Sequence, residues 1–447
     1  MRHRNLTLSL LLIATALAGT PALAQLHAAV GTPAPPQAPP AASQSLTLQD
    51  AEKIAIQNHP QVQAATYLAA VAKAQVTEAR SDYYPHAYGS ATGVKAETNS
   101  RVAAGALNNS IIFSRFADGV TVQQLVTDFG RTHELVKSSN LHAKAQEENV
   151  TTSRADVLLQ VDAAYYYCLK AQAVLQVAEE TVKDRRLVSD QVTEMEKNKL
   201  KSGLDVSFAN VDLAQAQLLL VQAQNDLQAS YAELSAALGF ADQKTFQLAD
   251  QSVPPAPPSD LSALIAEAMR NRPEIISQQL DLSSAQSYAT AERDLWLPTI
   301  SAVGTAGLTP YHVEELGSRY AAAGFNVNIP IFNGRQFNAL HAEAKAESNA
   351  RQQFLRDLQD AVVRDVRKAW LNSISGYQRL ALTQQLLDEA NQALDLAQQR
   401  YKLGLSSIIE LSQAQLNATQ AQISQASAKY DYAAEISALN FQVGLLQ

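Results

Sequence analysis

From Arg131 to Leu238 the chain has no proline and a single glycine, Gly203; from Arg335 to Val443 it has no proline and only Gly376 and Gly404. Stretches this long without a breaker, rich in Ala and Gln, read as α-helix. Apolar residues in them step by four and three, as in Val157, Val161, Ala164, Cys168, Ala171 and Leu175. Leu213, Ala216, Leu220, Ala223 and Leu227 repeat the pattern, as do Leu387, Ala390, Leu394, Ala397 and Tyr401. Spacing near 3.5 residues predicts supercoiled helix pairs, and alanine at so many seam positions predicts closely spaced axes. Cys168, the only cysteine, falls in the seam as a core side chain, so there is no intrachain disulfide.

Length adds a geometric constraint. A helix from Arg131 to Lys201 would span about 105 Å at 1.5 Å per residue. A glycine turn at Gly203 would send the chain back along Leu204 to Gly239, and an opening helix from Thr47 to Tyr84 precedes it. The two shorter helices together match the long one. Each long helix can therefore lie beside two shorter ones stacked end to end, and the second half of the chain repeats these proportions.

The repetition is visible residue by residue. Asn58-His-Pro returns as Asn271-Arg-Pro, Pro85 as Pro298, Asp128-Phe-Gly-Arg as Phe332-Asn-Gly-Arg, and Lys201-Ser-Gly-Leu as Lys402-Leu-Gly-Leu. The end of the first copy at Gly239 has a looser echo at Gly444. Landmarks in one order predict two copies of one unit. We divide the chain into 1–24, a signal peptide; 25–45, a Pro- and Ala-rich tether; 46–239, the first repeat; 240–260, a linker; and 261–447, the second repeat. The signal peptide rests on the basic start, the short apolar run and the Ala22-Leu23-Ala24 box, with Gln25 as the expected mature start.

Each repeat also holds two short segments with a period of two, about 86–94 and 119–128, then 299–308 and 320–332. In the last, Phe325, Val327, Ile329 and Ile331 alternate with Asn326, Asn328 and Pro330. One apolar and one polar face is the pattern of a strand between two environments. Tyr83, Tyr84, Tyr88, Trp296, Tyr311 and Tyr320 crowd the expected strand ends, as an aromatic girdle would. Beyond the signal no apolar run reaches the ~20 residues of a membrane helix, whereas strands of about 10 residues match the span of an outer membrane. A closed barrel needs about 8 strands or more, and open edges in lipid leave backbone groups unsatisfied. Chains must then pool strands: two copies would supply 8, three would supply 12. A filled 8-strand barrel leaves no passage, so a conduit argues for three or more.

Chemistry is hard to find. The net charge is −8, from 35 basic and 43 acidic residues, with no basic block suited to nucleic acid. The histidines are scattered, no Gly-rich phosphate loop appears, and nothing pairs a nucleophile with a base. We expect no enzyme activity, no cofactor and no metal.

The duplicated unit, the Asn-x-Pro helices, the strand exit Pro330-Ile-Phe-Asn-Gly-Arg335 and the Gly-Leu turns resemble the TolC family of outer-membrane efflux channels. The resemblance covers about 46–444. It implies a mainly α fold with β: duplicated long helical hairpins forming a periplasmic helical barrel, plus four strands per chain in a trimeric 12-strand transmembrane β-barrel. It implies a homotrimer in the outer membrane of a Gram-negative-type bacterium, in contact with its lipid and extending into the periplasm. It implies a passive exit duct of a tripartite efflux or type I secretion system, with a periplasmic adaptor (membrane fusion protein) and an inner-membrane transporter as partners. The contrasting reading is a soluble periplasmic coiled-coil adaptor or scaffold, but adaptors usually carry one hairpin and a sizeable β-domain.

Carried over by position, Gly203-Leu204 and Gly404-Leu405 are the tips that dock the adaptor. Tyr401 and Glu410 fall at the periplasmic gate, where three symmetry-related carboxylates would favour cations. The family's next acid corresponds to Gln413, its acidic partner near the first turn to Ala209, and a gating arginine to Ser406. Asp205 and Asp212 are the candidates to replace that lost lock. Lys197, Lys199 and Lys201 cluster before the first turn, as cations do at helix C-termini.

Overall fold

The structure is a computed structural model that describes residues 45–98, 100, 112–312, 314 and 317–446. The signal peptide and all but the last residue of the tether lie outside the described residues.

Among the described residues eight α-helices and four strands follow one another in two matching series. The first is α1 (Leu48–Asn58), α2 (Pro60–Ser81), β1 (His86–Val94), β2 (Arg115–Thr127), α3 (Arg131–Lys197) and α4 (Gly203–Ala237). The second is α5 (Leu261–Asn271), α6 (Pro273–Arg293), β3 (Thr299–Tyr311), β4 (Arg319–Asn328), α7 (Gln336–Lys402) and α8 (Ile408–Val443). Helices α3 and α7 have 67 residues each, about 100 Å of helix. The predicted stacking is realised. Helix α3 packs against α2 and α4 on the first-repeat side and against α6 and α8 of the second repeat; α7 packs against α6 and α8. Seam residues Val157, Val161 and Cys168 are wholly buried, and Ala216, Ala223, Ala390 and Ala397 nearly so.

The opening helix is not one rod. It breaks between α1 and α2 at His59, whose extended backbone (ψ 126°) precedes Pro60, and α5 and α6 break likewise at Arg272 (ψ 121°) before Pro273. Clash with the proline ring moves the preceding residue out of the helical region. Each break meets the C-terminal glycine of its own repeat. Gly239 (φ +79°) lies so close to Asn58 that a Cβ there would sit 3.0 Å from its carbonyl, and Gly444 (φ +81°) stands in the same relation to Asn271, at 3.1 Å. Positive φ and close approach both require glycine. Two landmarks that recur in sequence therefore recur because they touch in space.

The linker is held against the middle of the helices by polar anchors. Leu46 exchanges backbone hydrogen bonds with the linker, donating to Gln247 at 2.7 Å and accepting from Ala249 at 3.0 Å. Tyr165 donates to the Ala249 carbonyl at 2.7 Å, Tyr432 to Pro255 and Trp370 to Pro258. Around Leu46 and Tyr165 lies the largest apolar cluster among the described residues, with Leu48, Val157, Val161, Leu234 and Ala433; Trp370 packs against a second one, with Val362, Val366 and Leu439.

The four strands form one antiparallel sheet in the order β1-β2-β3-β4, with β1 and β4 as edges. Directly opposed residues share a face. One face carries His86, Tyr88, Ser90, Thr121, Gln123, Ser301, Thr305 and Asn326, with Leu125 and Val303 among them; the other carries Ala87, Val120, Val122, Ala302, Ala306, Ala323, Phe325 and Val327, interrupted by Gln124 and, towards the far end, by Asp118 and Arg319. Strand β4 stops at Asn328, four residues short of the expected end, and Pro330, which has no N–H to give to a ladder, comes two residues later. Strands β2 and β3 are longer than expected, at 13 residues each. The girdle is also redrawn: Tyr88 and Tyr320 belong to the polar face, while Trp296 packs edge-on against Phe337 at 5.5 Å.

One polar group sits in the apolar middle without full compensation. Asp162 of α3 is buried, hydrogen-bonded to Glu52 of α1 and Ser437 of α8, and its Oδ1 has no partner among the described residues. Burial pushes its carboxyl up to about 7, and burial also raises that of Glu52. The folded protein then holds a proton that the unfolded chain releases near the ordinary aspartate value, so stability declines as pH rises from about 4 towards 7 and levels off above it. Asp162→Asn keeps the shape and removes the titration. Urea unfolding at about pH 5 and pH 8 should show a smaller loss of stability in the variant; equal losses would contradict this account.

Candidate functional site

The two hairpin turns lie at the ends of the helices remote from the strands. At the first, α3 ends in Lys197 and Lys199 turns left-handed (φ 60°), while the Leu200 N–H donates back to Met195 O at 2.8 Å. At the second, Gly404 is left-handed (φ 73°) and the Leu405 N–H donates to Arg400 O at 2.8 Å. Both are six-to-one helix endings around one left-handed residue. Each return helix then starts on a serine. Ser202 and Asp205 form a reciprocal capping box, and Ser407 accepts the Glu410 N–H at 3.3 Å.

This geometry corrects the expected correspondence of the tips. The counterpart of Gly404-Leu405 is Lys199-Leu200. Gly203 is the first residue of α4, without positive φ and with open space around it. Lys199 adopts left-handed backbone without being glycine, which hid the turn. The exposed apolar side chains at the tips are Leu200 (73%) and Leu204 on one hairpin, and Leu403 and Leu405 (66%) on the other.

Tyr401 and Glu410 sit just above the second turn but point to different tasks. Tyr401 is buried in the cluster that joins the two hairpins, with Val192, Ala209, Ile408 and Leu411. Lys201 Nζ stands 4.1 Å over the centre of its ring, a cation–π contact from one tip to the other hairpin. The Tyr401 hydroxyl is buried without a partner among the described residues, and burial, aided by the Asp205 carboxylate, raises its pKa. Glu410 is half-exposed and paired to Arg400, Nε to Oε1 at 3.0 Å. The carboxylate expected to act as a bare charge thus carries its own counterion. Arg400, in the last turn of α7, was missed in the sequence; its only signal was a cation beside Tyr401.

The two candidates for a replacement lock differ. Asp205 is spent on its own capping box, whose Ser202 N–H holds its carboxyl below the usual range. Asp212 bridges α4 and α8 by accepting from the Ser412 hydroxyl, and its charge lies near the buried guanidinium of Arg185 on α3. These groups line a groove of about 380 Å³ between α4 and α8, with Phe208, Ile409, Leu416 and Gln413. Ile409, Leu416 and Ile423 recur every seven residues along it. An apolar stripe of that period between two helices is shaped for a further amphipathic helix. Among the described residues no cluster of His, Cys, Asp and Glu could hold a metal, and no helix is long and apolar enough to cross a membrane.

The turn geometry separates the two glycines. Gly404→Ala places a side chain at positive φ and should destabilise the second tip by about 1 kcal/mol. Gly203→Ala should be neutral or slightly stabilising, since the residue is helical. Hydrogen exchange at the Leu405 and Leu200 amides reads each tip; equal sensitivity of the two positions would contradict the assignment.

The family described as outer membrane efflux protein matches residues 53–240 and 264–445. Among curated relatives, the outer membrane efflux protein BepC of Brucella suis is 24% identical over 320 residues, covering 70% of this chain and 68% of BepC. The outer membrane protein TolC of Escherichia coli is 22% identical over 316 residues, covering 68% of this chain and 64% of TolC. The solved outer membrane channel CmeC of Campylobacter jejuni superimposes with a TM-score of 0.75 at 18% identity, covering 89% of this chain and 85% of CmeC.

Proposed function

The chain belongs to the outer membrane efflux protein family, and from that premise we propose that three copies of this efflux channel close into one duct through the outer membrane. The observation that carries the reading is the sheet: four strands, two open edges, one apolar face. In lipid the unpaired N–H and C=O groups of β1 and β4 must find partners, and only the strands of other copies supply them. Three sheets give a 12-strand barrel wide enough for an aqueous interior. The face with Val120, Val122, Phe325 and Val327 then meets lipid and the face with Thr121, Gln123, Thr305 and Asn326 lines the lumen. The exposed leucines of α7 (Leu382, Leu386, Leu396) and of α4 (Leu218, with Val221) would become contacts between neighbouring copies.

Below the membrane, the hairpins would continue the duct as a helical tube. The tips, with Leu200, Leu204, Gly404 and Leu405, would meet a periplasmic adaptor, and the groove beside Phe208, Ile409 and Leu416 would receive its helix. Conduction is passive, the driving force coming from an inner-membrane transporter. The soluble adaptor reading loses its footing, because family membership is that of the channel and an unclosed sheet with an apolar face has no purpose in water.

Arg400 refines the gate. With each Glu410 paired, a ring of three carboxylates favours cations only weakly. In planar bilayers, Arg400→Ala should raise cation preference above wild type and Glu410→Gln should lower it. Unchanged selectivity in both variants would remove the pair from the constriction. Leu405→Asp should abolish export while leaving trimers intact; normal export would count against the tip as a docking site.

A further inference from the structure

Tyr320, the second residue of β4, lies directly opposite Gly307, which is itself opposite Gly119. Its ring does not stand away from the sheet but crosses it. A Cβ added at Gly307 would lie 2.5 Å from the ring's Cζ and Oη, one at Gly119 would overlap the hydroxyl, and the hydroxyl lies 3.4 Å from the Asp118 carbonyl on β2. The ring therefore occupies the space left by two absent side chains, with one face on glycine backbone. The other face is open, and the residue remains 37% exposed.

The register places this ring on the polar face. Ser90 closes the same row, and the Thr121 and Thr305 hydroxyls, 3.2 Å apart, form the next. Apart from Arg115 opposite Val94 at the far rim, the paired residues of this face include no Asp, Glu, Lys or Arg. On the duct reading, on which this inference rests, the face lines the lumen. The paired residues of the wall around this row are uncharged, and the Tyr320 ring lies across them as a π surface parallel to the flow; the other tyrosine of this face, Tyr88, stands in the next row beside Thr121.

We propose that Tyr320 is a cargo-contact platform on the inner wall of the barrel, suited to planar aromatic cations. Such a molecule can stack on the free ring face without displacing any side chain, because the glycines beneath keep the ring flat. The negative face of the ring attracts the cation, and no fixed charge on the wall competes with it. Three copies would offer three platforms at one height.

The full-length channel in planar bilayers tests this, with ethidium added from the strand side and current block as the readout. Tyr320→Leu should weaken the block by roughly two- to ten-fold, the scale of one aromatic contact. Tyr320→Phe should stay within about two-fold of wild type, and block by tetraethylammonium, a cation without a ring, should not distinguish the three proteins. Photolabelling of the wild-type channel with an azido-ethidium should place the adduct on the peptide that carries Tyr320, a readout that needs no variant to assemble. Block indifferent to Tyr320→Leu, an equal loss in the Phe variant, or labelling confined to other segments would overturn the proposal. A wild-type protein that forms no channels would instead defeat the duct reading beneath it.

Discussion

The constraint on which everything else depends is the backbone of two edge strands. A four-stranded sheet with one apolar face cannot hide that face within its own chain, since the helices pack at its end and not across it. Placed in hydrocarbon, its apolar side chains are satisfied but the outer N–H and C=O groups of β1 and β4 are not, and each would cost several kcal/mol. Closure with other copies removes the edges altogether. On the proposed reading cyclic assembly follows from strand count, and the duplicated architecture beneath repeats as well: two strands, one long helix and three shorter helices per repeat.

The duplication is held together by a few contacts that do not tolerate side chains. Gly239 against Asn58 and Gly444 against Asn271 fix where the end of each repeat meets its beginning. The Pro60 and Pro273 breaks let α1 and α5 leave the line of α2 and α6. The linker threads between, held by Tyr165, Tyr432 and Trp370. Buried Asp162 in this middle zone shows that it is not a purely apolar clamp; a shared proton is part of its stability.

Much of this was legible in the chain itself. The heptad seams around Val157 and Ala397 appear where their spacing places them, because a long helix without breakers has few alternatives. Strand β1 has the expected ends. What failed was local. Pro60 and Pro273 served as landmarks of repetition but not as helix breaks, although the residue before proline is disfavoured in helix. Lys199 took the left-handed position that a search for glycine would not find, so Gly203 was given a turn it does not make. The final strand was extended through Pro330 because side-chain alternation continued after the ladder had ended. Tyr401 and Glu410, assigned to a gate by resemblance alone, were singled out by position. Their partners were not: Lys201 reaches Tyr401 from the other hairpin, which depends on how the two tips meet, and Arg400 reaches Glu410 across its own turn, which depends on how that turn closes.

The most direct test is whether the edges of the sheet are paired by other copies. Native mass spectrometry of the detergent-extracted protein, combined with hydrogen exchange on the β1 and β4 amides, reads assembly and edge protection together. Three chains per particle, with both edge strands as protected as β2 and β3, is the predicted result. A monodisperse single chain with rapidly exchanging edges, or with edges protected in the absence of any partner, would contradict the account.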